Sequence, residues 1–195
     1  VGSDISTGEV VLKRGILLTA ADVGLLATVG QNKVQVYAQP TIAVLSTGNE
    51  LEDCTPTLTT GHIRDSNRPT LIALLRQHGF KVIDAGIAED ETETLYRRIS
   101  SSLENADVLV STGGVSMGEK DLLRHVLVSK FSAQVHFGRV DMKPGKPTTF
   151  ATFKNSTGQT KIVFGLPGNP VSAVVTCHLY VIPACKKLSG HTKVL

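Results

Sequence analysis

From residue 41 onward the chain repeats one unit: a short apolar run, a loop of glycine and small polar residues, then a helical stretch. This alternation limits its fold more than any other feature. Residues 42–45 form the first run, followed by Ser46-Thr47-Gly48, and a helix over 69–78 carries Leu71, Ile72, Leu74 and Leu75 before Gly79 stops it. Residues 81–87 give a second strand. The next helix places Leu95, Ile99, Leu103 and Ala106 on one face. Residues 108–110 give a third strand, 119–130 a helix with Leu122, Leu123, Val126 and Leu127, and 134–140 a fourth strand. Residues 148–153 and 161–164 flank Asn155-Ser156-Thr157-Gly158 and predict a hairpin. A last helix is expected from Pro170 toward Lys187, kinked at Pro183. Parallel crossovers need a helix and bury strands between layers. The fold class is therefore α/β, a three-layer, doubly wound, mainly parallel sheet.

The first 38 residues read differently. A short strand over 9–12, a helix opened by Thr19 with Asp22 three residues on, and a strand over 33–38 make a unit too small for its own core. They are expected to be the end of a preceding arm or linker domain (1–38), with the α/β domain at 39–195. At 195 residues the chain suits one domain plus a remnant, at ~150 residues per domain. It opens on Val1 without a leader-like segment, so a fragment of a larger protein with no secretory signal is expected.

Composition excludes several classes. With 41% hydrophobic and 19% charged residues the chain is neither disordered nor fibrous. Its longest apolar stretches, 23–27 and 179–185, fall far short of the ~18 residues a membrane span needs. The 20 basic and 17 acidic residues are interspersed rather than gathered into a stripe, which argues against nucleic acid. Cys54, Cys177 and Cys185 are odd in number and lack metal or disulfide spacing, so a reducing, cytoplasmic location is expected.

Ligands of open α/β sheets sit beyond the carboxyl ends of the strands. The loops expected there are polar or glycine-rich. Gly113-Gly114, with Ser111, Thr112 and Ser116, leaves backbone N–H groups open to phosphate or another oxyanion, although a tight turn explains the pair equally well. Arg139, Lys143 and Lys146, the lysines stiffened by Pro144 and Pro147, form either an anion contact or a solvated basic edge. Glu50, Asp90 and Asp121 follow three different strands and suit Mg²⁺ beside phosphate. Asp90 also opens a capping box with Glu93, and Asp121 equally suits a helix dipole. In Pro167-Gly168-Asn169-Pro170, Asn169 is the N-cap and Pro170 the first helical residue, aiming helix N–H groups and the Ser172 hydroxyl at the crevice. The residues alone thus describe a crevice for an anionic, phosphorylated ligand with a divalent metal.

Five motifs then occur together: Ser46-Thr47-Gly48-Asn49-Glu50-Leu51, Ile63-Arg64-Asp65-Ser66-Asn67-Arg68, the segment from Gly113 to Asp121, Lys143-Pro144-Gly145-Lys146-Pro147, and the segment from Leu166 to Ala173. In this order they resemble the molybdopterin molybdotransferases, the bacterial MoeA proteins and the E domains of gephyrin and its plant relatives. The resemblance implies that adenylylated molybdopterin binds here, receives molybdate on its dithiolene sulfurs and loses AMP, yielding molybdenum cofactor. It makes Glu50, Asp90 and Asp121 the catalytic acids, with Asp90 and Asp121 the Mg²⁺ carboxylates. Arg139, Lys143, Lys146 and Ser172 become oxyanion contacts, helped by Pro167 and Pro170, and Asp65 shapes the pterin or metal end. Thr47, Gly48, Ser111, Gly113, Gly114, Ser116 and Asn169 complete the substrate site. Asn49 stands where many relatives carry Asp and receives no metal role. The resemblance also implies a homodimer in the full-length form and allows an adenylyltransferase domain on the same chain. Two other activities stay open, molybdopterin adenylyltransferase and a gephyrin-like receptor-anchoring scaffold. Val115 and the proline-framed loop speak against the first. A relative that has lost activity is disfavoured by Asp90, Asp121, Lys143 and Lys146.

Overall fold

A computed structural model describes residues 4–114 and 121–194. Strands β1 (Thr41–Thr47), β4 (Lys81–Ala88), β5 (Val108–Thr112), β6 (Gln134–Phe137), β7 (Thr149–Lys154) and β8 (Thr160–Leu166) form one six-stranded sheet in the order β4-β1-β5-β8-β7-β6. The first four in that order are parallel, and the β7–β8 and β6–β7 pairs are antiparallel. Short strands β2 (Leu51–Glu52) and β3 (Ile63–Arg64) pair separately. The sheet is thus mixed and mainly parallel.

Helices cover both faces. On one side lie α2 (Asn67–Gln77), α5 (Pro170–Thr176) and α6 (Ile182–Leu188), with Leu71, Leu75, Ile182 and Cys185 packed against Ile42, Val44, Val110 and Phe164. On the other, α3 (Thr92–Glu104) and α4 (Leu122–Phe131) set Leu95, Ile99, Leu123 and Leu127 against Ala43, Leu45, Leu109 and Val163. Because β1 is sandwiched, residues 42–47 are all buried and their side chains show no polar alternation. Full burial of a Leu or Ile contributes about 1.5–3 kcal/mol. Truncating Leu71 or Leu95, both 0% exposed, would cost about 2–5 kcal/mol through the cavity left behind.

The expected last helix is instead three pieces. A π-helical turn, Cys177–Val181, joins α5 to α6, and Pro183 sits in the first turn of α6. The wider turn absorbs the proline, which cannot donate the ordinary i→i−4 bond. The pieces form one 19-residue helical run, Pro170–Leu188, of mean hydropathy 1.2, long and apolar enough in composition to cross a membrane. One face of it packs into the core, where Ala173, Cys177, Val181, Ile182 and Cys185 are buried, while Val171 and Leu179 are exposed. Burial pushes the Cys177 and Cys185 thiols up to about 12, which disfavours the thiolate.

Other expectations shift at their ends. The described part of the fourth helix begins at Leu122, since 119 and 120 lie outside the described residues, and β6 stops at Phe137 with a bulge between Val135 and Phe137. Near the amino end, α1 (Ala20–Thr28) carries the predicted capping box, with Thr19 N–H donating to Asp22 Oδ2 at 2.8 Å. The strands expected at 9–12 and 33–38 are not strands. Most of their side chains are exposed and no described strand pairs with them, so the ladder that would stabilise extended backbone is absent there.

Candidate functional site

Topology gathers the expected loops at one edge. β1, β4, β5 and β8 run parallel, so residues following Thr47, Ala88, Thr112 and Leu166 leave the sheet together. β7 runs the other way, with Thr149 in register with Gly165, so the 138–148 loop returns to that same edge with Arg139, Lys143 and Lys146.

Close backbone approach welds three of these loops. Gly113 and Gly114 have φ of 78° and 62°. A Cβ on Gly113 would lie 2.2 Å from the Thr47 carbonyl oxygen, and one on Gly114 would lie 2.7 Å from Thr47 Oγ1. No other residue fits either position. Thr47 Oγ1 donates to the Thr112 carbonyl, and the Ser46 and Thr112 hydroxyls are 3.0 Å apart. The Pro167–Pro170 loop lies against Gly113, and its Gly168 carbonyl accepts from Asn67 Nδ2 at 2.7 Å. Asn169 caps α5 as expected, but its Oδ1 takes both the N–H and the hydroxyl of Ser172, which turns that hydroxyl back into the cap.

The basic loop is braced beneath its cations. Thr148 Oγ1 donates to the Gly145 carbonyl at 2.6 Å, Val140 N–H donates to the Lys146 carbonyl, and a Cβ on Gly145 would strike Met142 and Thr176. Arg139, Lys143 and Lys146 are exposed, and none forms an ion pair with a described residue. They are available to an anion.

The acids divide. Partial burial and the neighbouring Glu50 carboxylate hold Asp90 above the usual carboxylate range, placing these two together. Asp90 is not the helix cap: the N-cap of α3 is Glu91, whose carboxylate accepts from Thr94 N–H at 2.8 Å. The capping-box expectation was one residue early, because Asp90 is held back by its own N–H, which donates to Asn49 Oδ1 at 2.9 Å. Asp121 is the N-cap of α4, its Oδ1 accepting from Arg124 N–H, and burial raises its pKa as well. No group of three or more His, Cys, Asp or Glu able to hold a metal occurs among the described residues.

Asp65 is engaged within the chain itself. It caps the first turn of α2 and pairs with Arg68, Nε to Oδ2 at 2.9 Å, with its side chain 1% exposed. Arg68 also reaches Asp84 at 2.6 Å and Asp53, anchoring the segment between β1 and α2 to β4. Sequence reasoning missed Arg68 and the bracing role of Asn49. The signal for Arg68 was the Asp65–Arg68 spacing of three at a helix start. Ser116 lies outside the described residues.

Two cavities occur among the described residues. One of about 540 Å³ at the β1 and β4 ends is lined by Gly48, Asn49, Leu51, His62, Ile87 and Glu89, adjoining Glu50 and Asp90 in the chain. A larger one of about 980 Å³ is lined by residues between 11 and 39 and by residues 189–193.

Known proteins with these features share one theme. Residues 43–187 match the family described as the probable molybdopterin binding domain. The chain is 40% identical to gephyrin of Dictyostelium discoideum over 97% of its length, covering 29% of that protein. It is 40% identical to the molybdopterin molybdenumtransferase of a Nostoc species over 95% of its length, covering 42% of that enzyme. It spans less than half the length of these curated relatives. Two solved molybdopterin biosynthesis MoeA proteins from Pyrococcus horikoshii superpose with TM-scores of 0.79 and 0.71 at 34% and 26% identity, over 97% and 99% of this chain and 46% and 44% of theirs. The tungsten cofactor synthesizing protein MoaB from Pyrococcus furiosus shares the fold alone, at TM-score 0.58 and 14% identity over 80% of this chain and 98% of its own. By the extent of the match, the chain belongs to the family of the probable molybdopterin binding domain.

Proposed function

We propose that the strand-end crevice binds adenylylated molybdopterin and molybdate, and that the full-length protein is a molybdopterin molybdotransferase that inserts molybdate and releases AMP. The observation that carries this reading is the convergence of Gly113-Gly114, the Pro167–Pro170 loop and the Lys143–Lys146 loop at one sheet edge beside Glu50 and Asp90. Open backbone N–H groups suit phosphate, exposed lysines suit a tetrahedral oxyanion, and the carboxylates supply hard oxygen donors for Mg²⁺. Identities of 37–40% to molybdopterin molybdenumtransferases favour this over adenylyl transfer.

In this reading Asp90 and Asp121 would hold Mg²⁺, which suits their oxygen chemistry, while the cap on α4 engages Oδ1 of Asp121. When bound, the ion would neutralise charge developing on the phosphoryl oxygens. Lys143 and Lys146 hold molybdate near the dithiolene, and Asn49 keeps Asp90 at the end of β4. The Gly113-Gly114 backbone orients the ligand's phosphates, and Arg139 adds charge at the rim. The full-length protein is proposed to act as a homodimer in the cytoplasm. The test is AMP release from adenylylated molybdopterin by the full-length protein, with and without molybdate and Mg²⁺.

A further inference from the structure

We infer that Thr148 is a positioning residue for oxyanion capture: its hydroxyl staples the basic loop so that Lys143 and Lys146 stay presented together. The inference rests on the anion role proposed above for those lysines. Along residues 143–148 the loop alternates between surface and interior. Lys143 and Lys146 are exposed, whereas Gly145 between them and Thr148 after them are buried, Thr148 at 0% exposure. Both buried points are held from within. Thr148 Oγ1 donates to the Gly145 carbonyl at 2.6 Å, and the N–H groups of Thr148 and Val140 both donate to the Lys146 carbonyl, at 3.0 and 2.9 Å. Gly145 has φ of 109°, and a Cβ there would lie 2.6 Å from both Met142 Cε and Thr176 Cγ2, so the loop rests directly on Met142 and on α5. Thr176 is itself 0% exposed, and its Oγ1 donates to the Ser172 carbonyl at 2.7 Å, which leaves its methyl toward the loop.

Charge gives this seat a function. Neither lysine forms an ion pair with a described residue, and two like charges three residues apart repel. A loosely held loop would relax by splaying its cations, and an anion would then have to reorder the backbone on binding. Fixing the backbone in advance removes that cost from the binding step. Thr148 directly precedes β7, so its hydroxyl ties the loop between the lysines to the rigid sheet. Packing alone would be served by valine, which has nearly the same shape and an equal strand preference but no proton to donate. The hydroxyl therefore has one task on the page, to hold the Gly145 carbonyl. Thr148 is buried beneath the loop and acts on an anion only through the two exposed lysines.

The experiment titrates the full-length protein calorimetrically with sodium molybdate, using wild type, Thr148→Val, Thr148→Ser and Lys146→Ala, with a thermal melt of each. Folded Thr148→Val should bind molybdate about three- to tenfold more weakly, and Thr148→Ser, which keeps the donor, should restore binding. In AMP release the KM for molybdate should rise by the same factor while kcat at saturating molybdate stays at the wild-type value. A mere loss of folded protein would lower kcat instead. Thr148→Ala, which also removes the donor, decides the matter if the valine variant does not fold. Molybdate affinity that falls in Lys146→Ala but is unchanged in folded Thr148→Val or Thr148→Ala overturns the positioning role and leaves the anion role of the loop standing. Affinity unchanged in Lys146→Ala overturns both.

Discussion

The backbone N–H of Asp90 donates to Asn49 Oδ1 at 2.9 Å, tying the end of β4 to the end of β1 and leaving the cap of α3 to Glu91. The helix cap and the carboxylate beside Glu50 are thereby separated onto adjacent residues. Asp90 is free of the helix and stands beside Glu50, whereas Glu91 holds the helix start.

That separation makes Asp90→Ser informative. The change should alter stability by no more than about 0.5 kcal/mol, because Asp90 is a surface residue and Glu91 keeps the helix cap. AMP release should fall sharply, with partial recovery at excess Mg²⁺. Wild-type rates with wild-type Mg²⁺ dependence would remove Asp90 from the site.

Glu91→Ala is the converse variant. Losing the carboxylate that accepts from Thr94 N–H should lower the melting temperature and leave the Mg²⁺ dependence of AMP release unchanged. Thermal melts beside a Mg²⁺ titration check both halves.

Lys146→Ala should leave the fold intact, since the side chain is exposed and its loss opens no cavity. A charge-assisted contact contributes ~1.5–3 kcal/mol, so molybdate should bind about ten- to a hundredfold more weakly. Unaltered molybdate dependence in the folded variant would return Lys146 to a solvated edge.

Arg68→Met tests the anchor beneath the site. Removing the guanidinium leaves the Asp65 carboxylate, 1% exposed, without its partner, and loss of one member of a buried pair costs about 3–5 kcal/mol. Denaturant unfolding at neutral pH should show a loss of that order. A loss below about 1 kcal/mol would mean that Asp65 is held by something other than Arg68.

The acids also set a pH dependence. Burial, joined by Glu50 at Asp90, raises both Asp90 and Asp121 above their unfolded values. A raised acid favours the fold while protonated, so its contribution is complete below the unfolded pKa of about 3.9 and is lost as pH rises through the folded pKa. Mg²⁺ needs the ionised forms. Thermal protection by Mg²⁺ should therefore grow as pH rises through that raised range, and Asp90→Asn should flatten the curve. Protection that is constant from about pH 4 to 7 would contradict the assignment.

Most of the α/β domain was legible because its signals are local. Buried strands read as unbroken apolar runs, and α3 showed its inward face as Leu95, Ile99 and Leu103. The segments at 9–12 and 33–38 failed because a strand-like stretch becomes a strand only where a partner exists. Pro183 announced a disturbance, but whether a kink or a π turn resolves it depends on packing around Cys177 and Val181. At the site, loop chemistry predicted the shared edge, while the roles of Asp65, Asn49 and Arg68 rest on contacts made across the fold.

The most direct test of the central claim is stoichiometric AMP release from adenylylated molybdopterin by the full-length protein, measured against molybdate concentration for wild type and Asp90→Ser. The account predicts molybdate- and Mg²⁺-dependent release by wild type, and near-complete loss in the equally stable variant. Release by both at the same rate, or by neither, would contradict it.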